Sequence, residues 1–344
     1  MKKILLSIFA VAALFSCSKS DITYEQDQSE IGFAPYSKMI SKSAVTTTDY
    51  PDPLNMYVFA NAGTADAALT TFTEPYFANA EFSHGSHPTN VFGGVTPYYW
   101  PNVKELIFSG YSKSGNVASL TTKPTYTLTD GVWVINMTGY VPTAGTATLG
   151  DNDLMWFPTT TESYAKPSTA DFTVDVVMQH ACSWVTINIK GDATTGAEET
   201  TWKILDLTIA DLAQKGDVVL GTAASWSNLS DIKEFDVYEG ATGKALTTDY
   251  VDYTKLTYQD FILIPQVTKT LTVRYSYVSQ AGGAADGSDI VIEETKNIPL
   301  TYTDDEGWKP GVHYTYNITI GTQEILIEPT VKVWETVTAP DVVL

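Results

Sequence analysis

Hydrophobic and polar positions alternate with period two along most of this chain, and the cleanest example lies near its end. In VHYTYNITI, Val312, Tyr314, Tyr316, Ile318 and Ile320 fall on one side of an extended backbone, and His313, Thr315, Asn317 and Thr319 on the other. That alternation predicts a half-buried antiparallel strand. Similar runs at 56–60, 105–111, 132–137, 172–178, 185–189, 205–209, 261–264, 271–277, 290–293 and 325–333 predict further strands. Turn pairs separate them, among them Asp130-Gly131, Gly282-Gly283, Asp286-Gly287 and Pro310-Gly311. No long stretch keeps a helical period with caps, so the expected class is all-β, built as β-sandwiches.

Two irregularities add organisation. Apolar positions are even-numbered from Phe172 to Met178 and odd-numbered from Ala181 to Ile189, so a bulge or strand break is expected near His180. The stretch TTTESYAKPSTA at 159–170 is polar and carries Lys166-Pro167, which makes it the candidate boundary between an N-terminal domain at 30–165 and a C-terminal domain at 166–344.

The first residues break the pattern altogether. Lys2 and Lys3 precede an apolar run, Ile4 to Phe15, of about a dozen residues, the length of a signal-peptide core and short of the roughly 20 that span a bilayer. The run ends Leu14-Phe15-Ser16-Cys17, which resembles a bacterial lipobox. Residues 1–16 then read as a lipoprotein signal, Cys17 as the lipidated first residue of the mature chain, and the polar residues 17–29 as a tether. Two or three acyl chains make such attachment lasting where one would not.

Composition narrows what the rest can be. Loss of Lys2 and Lys3 with the leader takes the formal charge from -20 to -22, a balance that repels phosphate backbones. At 344 residues and 44% hydrophobic, the chain can bury a sizeable core and is long enough for two domains. Of its two cysteines, lipidation of Cys17 leaves Cys182 alone, so no intrachain disulfide is expected.

Candidate chemistry is sparse. His180 and Cys182 share a strand face, but nothing supplies an orienting group or an oxyanion site, so a buried structural pair is expected. His84 and His87 fall short of the three or four ligands a zinc site needs. Gly240-Ala-Thr-Gly243-Lys244-Ala245 is too short for a phosphate loop and reads as a hairpin turn. Asp286-Gly-Ser-Asp289 with Glu293 and Glu294 lacks the alternating ligands of a calcium loop. Tyr98-Tyr99-Trp100-Pro101 reads as core or edge packing, with sugar stacking as the functional alternative. No enzyme, metal or cofactor is expected.

Several stretches, in order, carry a resemblance: lipobox Cys17, an isolated first strand Glu30-Ile-Gly-Phe-Ala-Pro35, Met56-Tyr-Val-Phe-Ala60, Tyr99-Trp-Pro101, Gln179-His-Ala-Cys-Ser183 before a Val/Ile strand, and Gly311–Ile320 followed by Glu324-Ile-Leu-Ile327 and Val331-Lys-Val-Trp-Glu335. Together they resemble the fimbrillin family, the type V pilins of Bacteroidetes and their fimbrillin-like lipoproteins. The resemblance implies two transthyretin-like β-sandwich domains with Greek-key-type antiparallel sheets, export as an outer-membrane lipoprotein, and assembly with other subunits into a surface fimbrium. It also implies cleavage by an arginine- or lysine-specific protease in the loop after the first strand, here after Lys42 or Lys38, although the loop holds no Arg and the one arginine of the chain is Arg274. Loss of residues 31–35 would open an apolar groove, and the tail Glu335 to Leu344 of a neighbouring subunit is the donor strand that would fill it. The other functional class compatible with a lipobox, β-sandwiches and aromatic residues is a non-polymerising surface lipoprotein that binds glycans.

Overall fold

In a computed structural model, the structure describes residues 29–36, 55–65, 67–83, 91–113, 120, 122–142, 153–168, 173–191, 202–257, 261–279, 290–301, 307–321 and 325–333. Among the described residues nineteen strands carry the fold, beginning with β1 (Gly32–Tyr36), β2 (Asn55–Gly63), β3 (Glu74–Ser83), β4 (Phe92–Gly94), β5 (Glu105–Lys113), β6 (Thr125–Thr129) and β7 (Val132–Tyr140). There follow β8 (Met155–Phe157), β9 (Thr173–Val177), β10 (Gln179–His180), β11 (Ser183–Gly191), β12 (Trp202–Leu220) and β13 (Ala224–Ala245). The last are β14 (Val251–Asp252), β15 (Ile262–Leu263), β16 (Thr270–Ser279), β17 (Ile290–Pro299), β18 (Val312–Ile320) and β19 (Ile325–Val333). The protein is all-β and sandwich-like, as the alternation predicts.

The first sheet runs β10-β8-β5-β2-β3-β4-β1-β9. Its two end strands, β9 and β10, are consecutive in the chain and joined through Met178 alone, so the sheet returns on itself and encloses a core of its own. Phe33, Met56, Val58, Phe82, Phe92, Phe108, Phe157, Val174 and Val176 all point into that interior. The alternate positions of β2 and β5, Phe59 and Tyr111, face outward and are buried as well, against Trp133, Ile135 and Met137 of β7 and Val218 and Leu220 of β12. A second sheet, β17-β16-β12-β7-β6 with β13 along β12, therefore covers the outer wall of the first. A third sheet, β14-β11-β18-β19 with β15, packs on the far half of the second through Val185, Ile187, Ile189, Tyr314, Tyr316 and Ile318 against Ile204, Leu207, Leu271 and Val273.

The ribbon of β12 and β13 ties these layers together. One edge of β12 pairs with β16 from Trp202 to Ile209 and with β7 from Gly216 to Leu220, leaving a gap between them. The Gln266 side chain fills it: its Oε1 accepts from the Ala213 N–H at 3.0 Å and its Nε2 donates to the Ala213 carbonyl at 3.1 Å. One side-chain amide thus does what a neighbouring strand would do for a buried backbone.

Some expectations meet a different geometry. β18 is antiparallel to β19, yet parallel to β11 on its other side. The long stretch of chain between β11 and β18 allows a parallel return that a short hairpin would forbid. Gly240–Gly243 is no hairpin turn. It bulges out of β13, where the pairing jumps from Ile204↔Lys244 to Asp206↔Glu239, with Gly243 at φ 68°. The phase flip near His180 is a true break, dividing β9, β10 and β11 among different pairings. The start of the polar stretch 159–170 is bonded to β5: Thr160 Oγ1 accepts from the Phe108 N–H at 3.1 Å, and Tyr164 and Leu106 exchange backbone hydrogen bonds. Beyond it, residues 173–180 complete the first sheet, while β6 and β7 join the second.

Gln266→Leu keeps the volume of that side chain and strands the Ala213 N–H and carbonyl. Urea unfolding should show a loss of about 1–3 kcal/mol for each group left unpaired. A loss under about 0.5 kcal/mol, the range of an ordinary surface change, would contradict the bridging role.

Candidate functional site

β1 is the strand that closes the first sheet. It pairs with β4 antiparallel at Gly32↔Gly93 and Phe33↔Phe92, and with β9 in parallel over five positions from Gly32↔Thr173 to Tyr36↔Val177. Just before it, the Ile31 N–H donates to the Tyr98 carbonyl at 2.8 Å and the Trp100 N–H donates to the Ser29 carbonyl at 3.2 Å. Ile31 and Phe33 are buried, and Phe33 sits at the middle of an aromatic cage. Its ring meets Phe82 and Phe108 edge-on at 4.9 and 5.1 Å and Phe157 at 6.2 Å. Burying each of these two side chains stabilises the seat by about 1.5–3 kcal/mol, and each well-placed ring pair by about 0.5–1.5 more. Without β1, β4 and β9 would each present an unpaired edge above an apolar floor.

The chain that leaves β1 passes through residues 37–54 before β2 begins at Asn55. Lys38 and Lys42 lie there, outside the described residues, as do Cys17, His84, His87, Asp286, Asp289 and the tail from Glu335 to Leu344. The tail follows β19, which is the edge of the third sheet and carries Pro329 opposite Tyr316. An edge is where a strand proline is tolerated.

His180 and Cys182 are both buried. The His180 Nδ1 is hydrogen-bonded to Asp153 Oδ2, a partner 27 residues away that nothing local in the sequence marks. Burial raises the Asp153 carboxyl above its usual range, with the His180 ring pulling the other way. Burial, with the Asp153 carboxyl nearby, also pushes the Cys182 thiol well above its ordinary value, which keeps it protonated and inert. Trp100 is in the core and the half-buried Tyr98 ring lies tilted against Phe77 at 4.5 Å, so Tyr99 is the exposed ring of the YYWP stretch. Glu294 accepts from the Tyr275 hydroxyl at 2.8 Å and the Tyr277 hydroxyl at 3.3 Å, and those bonds hold its carboxyl below the usual range. Among the described residues, no group of three or more His, Cys, Asp and Glu could hold a metal ion.

Solved structures from Bacteroides share this layered β fold. A fimbrial protein from Bacteroides vulgatus superposes with TM-score 0.57 at 16% identity, over 89% of this chain and 100% of that one. A candidate cell adhesion protein from Bacteroides uniformis does so with TM-score 0.50 at 15% identity, over 89% and 99%. The chain belongs to the fimbrillin-like family, whose family model matches residues 41–334. No curated protein matches the chain.

Phe33→Ala empties the centre of the aromatic cage and should lower stability by about 3–5 kcal/mol in denaturant unfolding. Tyr99→Ala, on the surface, should stay within about 0.5 kcal/mol. Similar losses in both would mean that Phe33 is no anchor.

The raised Asp153 carboxyl also sets a pH dependence. A folded-state pKa above the unfolded value stabilises fully below the unfolded pKa, and that contribution is lost as pH rises through the folded one. Asp153→Asn removes it, so the variant should gain on the wild type as pH climbs from about 4 toward 7. Urea unfolding of both proteins across that range checks this, and a constant or shrinking difference contradicts it.

Proposed function

We propose that the protein is a fimbrial subunit or fimbrillin-like surface adhesin that assembles by exchange of its first strand. Membership in the fimbrillin-like family and the fold shared with a Bacteroides fimbrial protein support the class. The observation that carries the mechanism is the seat of β1, a five-residue strand held by backbone pairing and by Phe33 in its cage. In this reading the chain is exported with Cys17 lipidated and held at the outer membrane. A protease cuts after Lys42 or Lys38, and β1 is then kept in place by noncovalent contacts alone. Because the lipid precedes β1 and the cut follows it, departure of β1 also releases the subunit from its anchor. A strand from another subunit, with Glu335–Leu344 as the candidate, re-pairs β4 and β9 and fills the floor with its alternate side chains. The partners are then other fimbrial subunits, and the place of the assembled protein is a fimbrium on the cell surface. A structural role accounts for the residues without any catalytic step. A two-unit organisation belongs to the same proposal, with the strand pairing favouring a seam at Ala181-Cys182 over one at 165/166.

Brief trypsin treatment of the native protein tests the reading. The expected product begins at Met39 or Ser43, keeps the rest of the chain intact, and oligomerises once β1 is gone; deletion of Glu335–Leu344 abolishes the oligomers. A protease that spares this loop while cutting elsewhere overturns the proposed processing site. A cleaved product that stays monomeric at high concentration overturns strand exchange.

A further inference from the structure

Where the tether meets the fold, the surface is aromatic. Ser29, the first described residue, is bonded through its carbonyl to the Trp100 N–H, and Glu30 bridges to Tyr99. Tyr99 is 37% exposed, and its carbonyl accepts at 2.5 Å from the hydroxyl of Tyr76, itself 39% exposed. Four residues beyond Tyr99, Val103 is 86% exposed, the most exposed large hydrophobic residue among those described. The flanking cations are engaged locally: Lys104 is paired with Glu74, and Lys166 donates to Asn102 at 3.1 Å.

We propose that this face, Tyr76, Tyr99 and Val103, rests on the bilayer while the protein is held by its lipid, and that its partner is the interfacial zone of a zwitterionic membrane. The inference rests on the reading of Cys17 as the lipidated residue. From Cys17 to Ser29 there are 12 residues, which reach roughly 40 Å at full extension and about 20 Å as a relaxed coil. A folded body of this size has a radius of gyration of roughly 19 Å, so the short tether favours the face from which it emerges over the far side. Tyrosine, apolar in its ring and polar at its tip, suits the headgroup level, and Val103 suits the layer just beneath. Two acyl chains supply the attachment, and the patch sets which face turns down. With Lys104 paired to Glu74, Lys166 bonded to the Asn102 amide and the chain strongly acidic, this surface fits neutral headgroups rather than anionic ones.

The test uses the lipidated full-length protein in phosphatidylcholine vesicles whose acyl chains carry a bromine quencher. An environment-sensitive fluorophore is attached at Val103→Cys and, separately, at Ile232→Cys on β13, a residue 60% exposed; buried Cys182 stays unlabelled. The expected result is at least twofold quenching at position 103 and none at 232. Vesicle flotation and intact mass are read on the same samples. Flotation with an acylated mass but no quenching at 103 overturns the proposal and leaves the anchor standing. Protein that carries no acyl group and does not float overturns the anchor and, with it, this inference. Shielding of 103 from a water-borne quencher without quenching by the lipid marks a protein contact and overturns the proposal as well.

Discussion

A sheet that encloses its own core cannot lose a strand without opening, and here the closing strand, β1, is five residues long. β1 contributes two pairings to β4 and five to β9, and it carries Phe33, with Ile31 just before it, into the interior. Those two residues set the balance. They bury enough apolar surface, about 1.5–3 kcal/mol each, to hold a short strand whose flanks are tether and loop, yet far less than the layers beneath it. Removal of β1 would leave β4 and β9 facing each other across a slot floored by Phe82, Phe108 and Phe157, a shape that another strand with alternate apolar residues could enter.

What lets the remainder stand is the crossing from β9 to β11. In residues 180–183 the backbone leaves the first sheet for the third, and distant elements bind it at each step. The Ala181 N–H donates to the Leu154 carbonyl at 2.8 Å, Trp226 Nε1 donates to the Ala181 carbonyl at 2.6 Å, and the Gly311 N–H donates to the Cys182 carbonyl at 2.8 Å. Ser183 Oγ donates to the Lys309 carbonyl at 2.8 Å, and His180 is fixed by Asp153. Gly311, at φ 66°, turns the chain beneath this crossing, and a Cβ there would come within 3.3 Å of the His180 carbonyl. The turn is locked in its own right. Trp308 Nε1 donates at 2.9 Å to the Tyr316 hydroxyl, which donates at 3.0 Å to the Leu300 carbonyl. These bonds join all three sheets without using β1.

Strands with one wet face were legible from period two alone, β18 above all, and the change of phase at His180 announced the crossing. The first strand, too short for its alternation to stand out, was legible only through the resemblance carried by Glu30–Pro35. β13 was not, since of its 22 residues one, Val237, is buried, and the others that pack inward, such as Trp226, Phe235 and Tyr238, are only half-buried and irregularly spaced. β3 hides behind a bulge: Asn79 adopts φ 53° and turns its Oδ1 to the Tyr111 hydroxyl at 2.8 Å, so two residues oppose one on β2 and the period slips. Asp153 and Gln266 act through partners far away in sequence, His180 and Ala213, and no local pattern could reveal either. The parallel pairing of β18 with β11 is likewise set by the path of the intervening chain, which lies outside the strand's own sequence.

Hydrogen exchange read by mass spectrometry, before and after the chain is cut behind β1 and the freed segment removed, bears most directly on the claim that β1 is a separable closing strand. The account predicts lost protection in Phe92–Gly94 and Thr173–Val177, the two strands that pair with β1, and unchanged protection in Val185–Ile189 and Tyr314–Ile320. Protection that falls throughout all three sheets would mean that β1 belongs to one indivisible fold. Unchanged protection at β4 and β9 would mean that β1 does not close the sheet at all.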